Sequence, residues 1–177
     1  MIVLESKRLL FRSHEAADLD AFCAMEADAE VRRYVGGAPR TREAAKQRFW
    51  ERAMQPVDGR LAMWATVLKE GGGYIGRCGL YPNIRGEEKI ADEAVLAFYI
   101  ARQFWGQGFA SEAGRAFVEF GFEELMLERI VAGVEVENTA SVRVLEKLGF
   151  VVTSHEIGPR SFYHFELSRP VGRAVEP

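Results

Sequence analysis

The sequence has 177 residues, 48% of them apolar and 28% charged, with a formal net charge of −3. That length fits one domain of roughly 100–200 residues with its own hydrophobic core. The composition excludes a disordered chain, a collagen-like repeat and a disulfide scaffold. Residues 1–60 carry 11 Lys and Arg against 10 Asp and Glu, and residues 61–177 carry 12 against 16. Neither part is a basic footprint, so no nucleic-acid partner is expected. No apolar run approaches the ~20 residues of a membrane span, and Met1 to Arg12 has no signal-peptide apolar core. The two cysteines, Cys23 and Cys78, lack metal-site spacing, which fits a reduced, cytoplasmic chain without a metal.

Leu9 to Arg12 reads as a short first strand, and Ala17 to Ala27 as a helix with Leu19, Phe22, Cys23 and Met25 inward. Gly36-Gly37-Ala38-Pro39 breaks the chain. Thr41 caps a helix through Met54, which Pro56 to Gly59 ends. Leu61 to Leu68 and Tyr74 to Tyr81 form a hairpin around Gly71-Gly72-Gly73, and Pro82 to Lys89 reads as a polar loop. The nearly continuous apolar run Ala94 to Ala101 belongs in a sheet centre. Gly108 opens a helix to about Leu125, with Ala110, Ala113, Phe117, Phe120 and Gly121 as its core stripe. Arg129 to Val136 is a strand. Asn138-Thr139 caps a short helix to Leu148, closed by Gly149 and Phe150. Strands Phe150 to Ile157 and Ser161 to Leu167 complete the chain, and residues 169–177 form a frayed tail. The order β-α-α-β-β-β-α-β-α-β-β defines a single α+β domain over residues 1–177 with a mixed sheet.

Two segments carry chemistry. Trp105-Gly106-Gln107-Gly108-Phe109-Ala110-Ser111 joins a buried strand to a long amphipathic helix. Its glycines let backbone approach a ligand, and unpaired N–H groups at the helix start favour an anion. Either a phosphate cradle or a turn that uses glycine for sterics alone fits the spacing. A Walker A loop is excluded because G-x-x-x-x-G-K-[ST] is absent, and a dinucleotide fingerprint fails at Ser111. The second segment is Asn138-x-x-Ser141-x-x-Val144-Leu145-x-Lys147-Leu148-Gly149-Phe150. Ser141 shares an inward stripe with Val144, Leu145 and Leu148. Its hydroxyl either faces a cleft or bonds back to its own helix. The pairs Arg8/Arg12, Arg32/Arg33 and Arg40/Arg42 read as solvated surface.

Together these segments resemble the GNAT acyl-CoA N-acyltransferases, and within them the ribosomal-protein-alanine N-acetyltransferase type. Ser6-Lys7-Arg8-Leu9-Leu10-Phe11-Arg12 and Ile75-Gly76-Arg77-Cys78-Gly79-Leu80 extend the resemblance, which covers roughly residues 3–168. It implies a mostly antiparallel seven-stranded sheet, helices on both faces and a splay between the fourth and fifth strands. It implies acetyl-CoA as cosubstrate and a protein N-terminal amine or a small-molecule amine as acceptor. Pantetheine would lie along Phe98, Tyr99 and Ile100, and the pyrophosphate on backbone N–H groups of Gly106, Gln107, Gly108, Phe109, Ala110 and Ser111. Asn138, Ser141 and Arg143, with Lys147, would complete the cofactor site, and Arg143 and Lys147 read equally as solvated. The N–H of Ile100 would stabilise the oxyanion, and Ser141 would serve the departing thiolate. The tyrosine that many relatives place after the short helix has no counterpart in Phe150-Val151-Val152-Thr153. Glu93, on one strand face with Val95, Ala97 and Tyr99, is taken as the base. His155 and His164 lie where an acceptor can approach. A non-catalytic CoA-binding or sensor domain on the same scaffold is the alternative. Exposed strand edges allow a homodimer.

Overall fold

The structure is a computed structural model that describes residues 1–55 and 60–170. The end of the second predicted helix at Pro56 to Gly59 and most of the predicted frayed tail lie outside the described residues. The elements run β1 (Ile2–Glu5), β2 (Leu9–Arg12), α1 (Leu19–Ala27), α2 (Ala29–Arg32), α3 (Arg42–Arg48), β3 (Ala62–Leu68), β4 (Tyr74–Arg85), β5 (Glu88–Ile100), α4 (Phe109–Glu123), β6 (Arg129–Glu135), α5 (Thr139–Lys147), β7 (Val151–Glu156) and β8 (Phe162–Ser168). A π-type turn, Phe49–Ala53, prolongs α3. Eight strands form one sheet in the order β1-β2-β3-β4-β5-β6-β8-β7, and only β5 and β6 run parallel.

The sheet thus has eight strands, not seven. The additional one, Ile2–Glu5, is short and half-exposed and pairs with β2 through an irregular register. The predicted polar loop Pro82 to Lys89 is also revised. β4 runs on to Arg85, and β5 starts at Glu88, so this segment is the tip of a long hairpin. Its residues are polar because the tip projects beyond the covering helices, where both strand faces meet water. Pro82 still pairs with Ala94, next to a register shift before Ile84, the setting in which a strand tolerates proline.

Strand alternation sends the two faces of β4 to different helices. On one face Leu80 and Cys78 enter the main core with Phe117, Phe120 and Ile130 beneath α4. On the other, Arg77 meets Glu26 of α1. Helices therefore cover both faces. α3 begins as its sequence requires, with Thr41 Oγ1 accepting the Ala44 N–H at 3.2 Å. Among the described residues no helix is long and apolar enough to cross a membrane.

Candidate active site

β5 and β6 pair only at Glu93–Arg129, Ala94–Ile130 and Val95–Val131. Beyond Val95 they separate, and the opening between them is the predicted splay. A cavity of about 380 Å³ runs along it, with a second of about 120 Å³ adjoining. At the end of β5 the Ala101 N–H bonds to Ile75 O of β4 at 2.8 Å. Backbone polar groups alternate sides along a strand, so the N–H and C=O of Phe98 and Ile100 point away from β4, into the opening. Trp105 Nε1 donates to Ile100 O at 2.7 Å and secures that end of the strand.

The turn that follows is built on two glycines with left-handed backbone, Gly106 at φ +75° and Gly108 at φ +80°. A side chain at Gly106 would stand free of neighbours on the cavity wall, where it would intrude on a ligand. The first helical bond of α4 runs from Glu112 N–H to Gly108 O at 3.0 Å. The N–H groups of Phe109, Ala110 and Ser111 therefore have no acceptor within the helix, and all three residues line the cavity. This arrangement fits the diphosphate of CoA, with the helix dipole adding to it.

α5 supplies the opposite wall. Asn138 Oδ1 accepts the Ser141 N–H at 3.2 Å and caps the helix. Ser141 is half-buried and faces both cavities, and its Oγ makes no hydrogen bond within the described residues. The alternative of a hydroxyl bonded back to its own helix is thereby set aside. Arg143 and Lys147 are exposed on the same wall. Of the residues predicted to hold the cofactor, all but Gln107 line the larger cavity. Gln107 turns away: its side chain donates to Gln103 O at 3.0 Å, and its carbonyl accepts from Arg8 Nη1 at 3.1 Å.

Glu93 lies apart from this group and lines neither cavity. It is buried at the closed end of the splay, bonded to Asn83 Nδ2 at 2.9 Å and to the Arg129 guanidinium. Burial alone would raise its carboxyl pKa, but Asn83 and Arg129 together hold it below the usual carboxylate range. Tyr99 lies six residue steps further along the strand, about 20 Å at the usual rise. The wall of the smaller cavity presents a different carboxylate, Glu135. Counting four residues on from the Val95–Val131 pair sets Glu135 across the opening from Tyr99, on the same sheet face. Its carboxylate pairs with Arg160 of the β7–β8 turn. Tyr34, Val35 and Tyr81 join it around the smaller cavity, and Tyr34 Oη donates to Glu137 O at 3.3 Å, bridging the α2 region to the turn before α5. The sequence alone does not single out Glu135. The parallel register that singles out Glu135 exists only once β5 and β6 are paired. His155 and His164 line neither cavity; His164 Nε2 lies 3.4 Å from Glu156 on the exposed β7–β8 ribbon.

Comparison with known proteins bears on the same segments. Residues 8–151 match the family model described as acetyltransferase (GNAT) domain. The chain is 34% identical over 152 residues to the uncharacterized N-acetyltransferase p20 of Bacillus licheniformis, covering 85% of this chain and 83% of that one. A crystal structure of a GNAT-family acetyltransferase from Bacillus anthracis superposes with a TM-score of 0.81 at 23% identity, over 95% of this chain and 98% of that one. A ribosomal L7/L12 alpha-N-protein acetyltransferase in complex with coenzyme A gives a TM-score of 0.79 at 15% identity, over 96% and 98%. At these identities the two structures speak to the fold alone.

Proposed function

The chain belongs to the GNAT acetyltransferase family and is an acetyl-CoA-dependent N-acetyltransferase, and from that premise we propose how its own residues bind the cosubstrate and carry the transfer. The carrying observation is that one cavity joins the amide-rich turn Gly106–Ser111, the outward-facing backbone of Phe98 and Ile100, and the unpartnered hydroxyl of Ser141. In this reading the backbone of Phe98 pairs with pantetheine and the Ile100 N–H is kept for the thioester carbonyl, with Tyr99 between them turned to the acceptor side. The N–H groups from Gly106 to Ser111 hold the diphosphate. Asn138 fixes the start of α5, and Arg143 and Lys147 face the adenosine phosphates.

An amine attacks a thioester only when neutral, and ammonium pKa values lie near 10. A proton must therefore leave before the C–N bond forms. We assign its acceptor to Glu135, through water, rather than to Glu93, whose oxygens are engaged about 20 Å away. The Ile100 N–H stabilises the oxyanion at the thioester carbonyl. When the C–S bond breaks, the second amine proton balances the charge on the thiolate, and the Ser141 hydroxyl is the donor within reach. A thiol pKa near 8.5 makes that donation a modest contribution.

The acceptor is a primary amine, of a protein N-terminus or of a small molecule, entering along Tyr34, Tyr81 and Tyr99. A cytoplasmic setting, with Cys23 and Cys78 free and buried, belongs to the same proposal. So does a homodimer through the β7 edge, whose residues are all exposed; sedimentation of the chain at monomer mass would remove it. The test of cosubstrate binding is thermal denaturation with CoA, ATP and NAD. CoA alone raises the midpoint, and Gly108→Trp abolishes the rise without changing the ligand-free midpoint by more than a few degrees. An equal response to all three ligands would contradict the reading.

A further inference from the structure

The loop proposed to bind the diphosphate has no charge of its own: Gln103 to Ser111 contains no Lys, Arg or His. Its first helical turn even carries an acid, Glu112. The structure brings a cation to this loop from a segment 104 residues earlier. Arg8 Nε donates to Glu112 Oε2 at 2.6 Å, and the Arg8 backbone N–H donates to Glu112 Oε1 at 2.7 Å. Ser6 Oγ donates to the same Oε1 at 2.7 Å. Arg8 Nη1 then donates to Gln107 O at 3.1 Å, in the middle of the glycine turn, and the guanidinium carbon lies 4.2 Å from the centre of the Phe109 ring. Nη2 points past Gly108, 3.6 Å from where a β-carbon on that residue would stand. Among the described residues no acceptor meets Nη2, and the side chain is 43% exposed.

Resting on the acetyl-CoA reading above, we propose that Arg8 is the charge-supplying and positioning residue of the diphosphate loop. It holds the Gln107 carbonyl back, so that the neighbouring N–H groups face the cleft. It neutralises Glu112, which would otherwise repel an anion at the start of α4. It also leaves the two N–H donors of Nη2 beside Gly108 for a phosphate oxygen, the planar recognition that guanidinium performs better than ammonium. Two arginine donors toward the loop and one carboxylate behind them form a fork anchored at its base.

Steady-state kinetics separate this role from a general tie between the β1–β2 hairpin and α4. Arg8→Ala raises KM for acetyl-CoA about 10- to 50-fold, while kcat at saturating acetyl-CoA and KM for the amine stay within twofold. Arg8→Lys keeps a charge against Glu112 but loses the fork, and raises the same KM about threefold to tenfold. This second variant carries the test if Arg8→Ala fails to fold. An unchanged KM for acetyl-CoA in Arg8→Lys, or equal losses in kcat and in both KM values, overturns the inference while leaving the acetyltransferase reading intact. A wild-type protein that shows no affinity for CoA in calorimetry overturns both.

Discussion

Trp105 illustrates how one side chain can tie a strand end to the chemistry beside it. Its indole N–H bonds to Ile100 O, and Ile100 presents the N–H assigned to the oxyanion. A hydrogen bond of this kind is worth about 0.5–1.5 kcal/mol. Trp105→Phe, which keeps the ring, should therefore lower kcat about twofold to tenfold with KM for acetyl-CoA nearly unchanged, as read from initial rates. A loss confined to KM would detach Trp105 from the oxyanion site. The two carboxylates make a sharper contrast. Glu135→Gln should lower kcat more than tenfold and also lower the melting midpoint, because Arg160 loses its buried partner. Glu93→Gln should lower the midpoint, because Arg129 loses its buried partner, and leave kcat within twofold. The reverse pattern would return the base to Glu93. Strand alternation correctly groups Glu93 with Val95, Ala97 and Tyr99 on one face. It carries no information on which end of that face is closed by pairing with β6, and that pairing decides the chemistry.

At the scale of elements, the acceptor-side layer of α1, α2 and α3 is held to β4 by charge. Glu26 is 2% exposed, and three arginines reach it: Arg77 at 2.6 Å, Arg40 at 2.9 Å and Arg32 at 3.3 Å. Burial by itself would raise the Glu26 carboxyl pKa, but these guanidinium groups outweigh it and hold the pKa below the usual range. The Arg77 guanidinium lies 4.9 Å from the centres of both the Phe22 and Tyr99 rings, so this cluster also backs the Tyr99 wall of the cleft. Removing one member of a buried ionic group leaves its partners uncompensated, at a cost of about 3–5 kcal/mol. Glu26→Gln should therefore destabilise the fold by that amount in urea unfolding; a change under 1 kcal/mol would mean the arginines find other partners. None of this could be read from sequence, because Glu26, Arg40 and Arg77 come together only after α1 packs on β4. Elements with a strong period were legible: the α4 stripe, the Thr41 and Asn138 caps and the apolar run of β5. The β1 strand and the tip of the β4–β5 hairpin were not. The hairpin tip lies beyond the covering helices, and β1 is the short run Ile2-Val3-Leu4-Glu5, so no apolar alternation marks either.

For the molecule as a whole, the decisive feature is a sheet that opens. Three paired positions hold β5 to β6, and the strands beyond them are parted for the length of the cavity. The motifs at Gly106–Ser111 and Asn138–Ser141 were readable because local backbone chemistry fixes their spacing. The acceptor wall was not, because it is assembled from α2, β4, β6 and the β7–β8 turn. The whole fold also responds to pH through one buried group. His14 packs edge-on against Phe22 and Phe49, and burial lowers its pKa from 6.5 to about 4. Between those values the unfolded chain binds the proton and the folded chain does not, so stability falls as pH drops from about 6.5 toward 4. The full loss is about 3 kcal/mol. His14→Phe should flatten the melting midpoint over that interval; an unaltered slope would assign it to other groups.

Ligand linkage sets the scale for cosubstrate binding. CoA at 100 times its dissociation constant adds about 2.7 kcal/mol to stability. For a chain of this size that is a midpoint rise of roughly 5–10 °C. Binding alone would not separate an enzyme from a CoA sensor on the same scaffold. The direct measurement is free thiol released from acetyl-CoA across a panel of primary amines, including peptides with a free N-terminus and small mono- and polyamines. Amine-dependent release of one thiol per acetylated amine is expected for at least one class, sharply reduced in Glu135→Gln. Tight CoA binding with no amine-dependent release from any member of the panel would contradict this expectation.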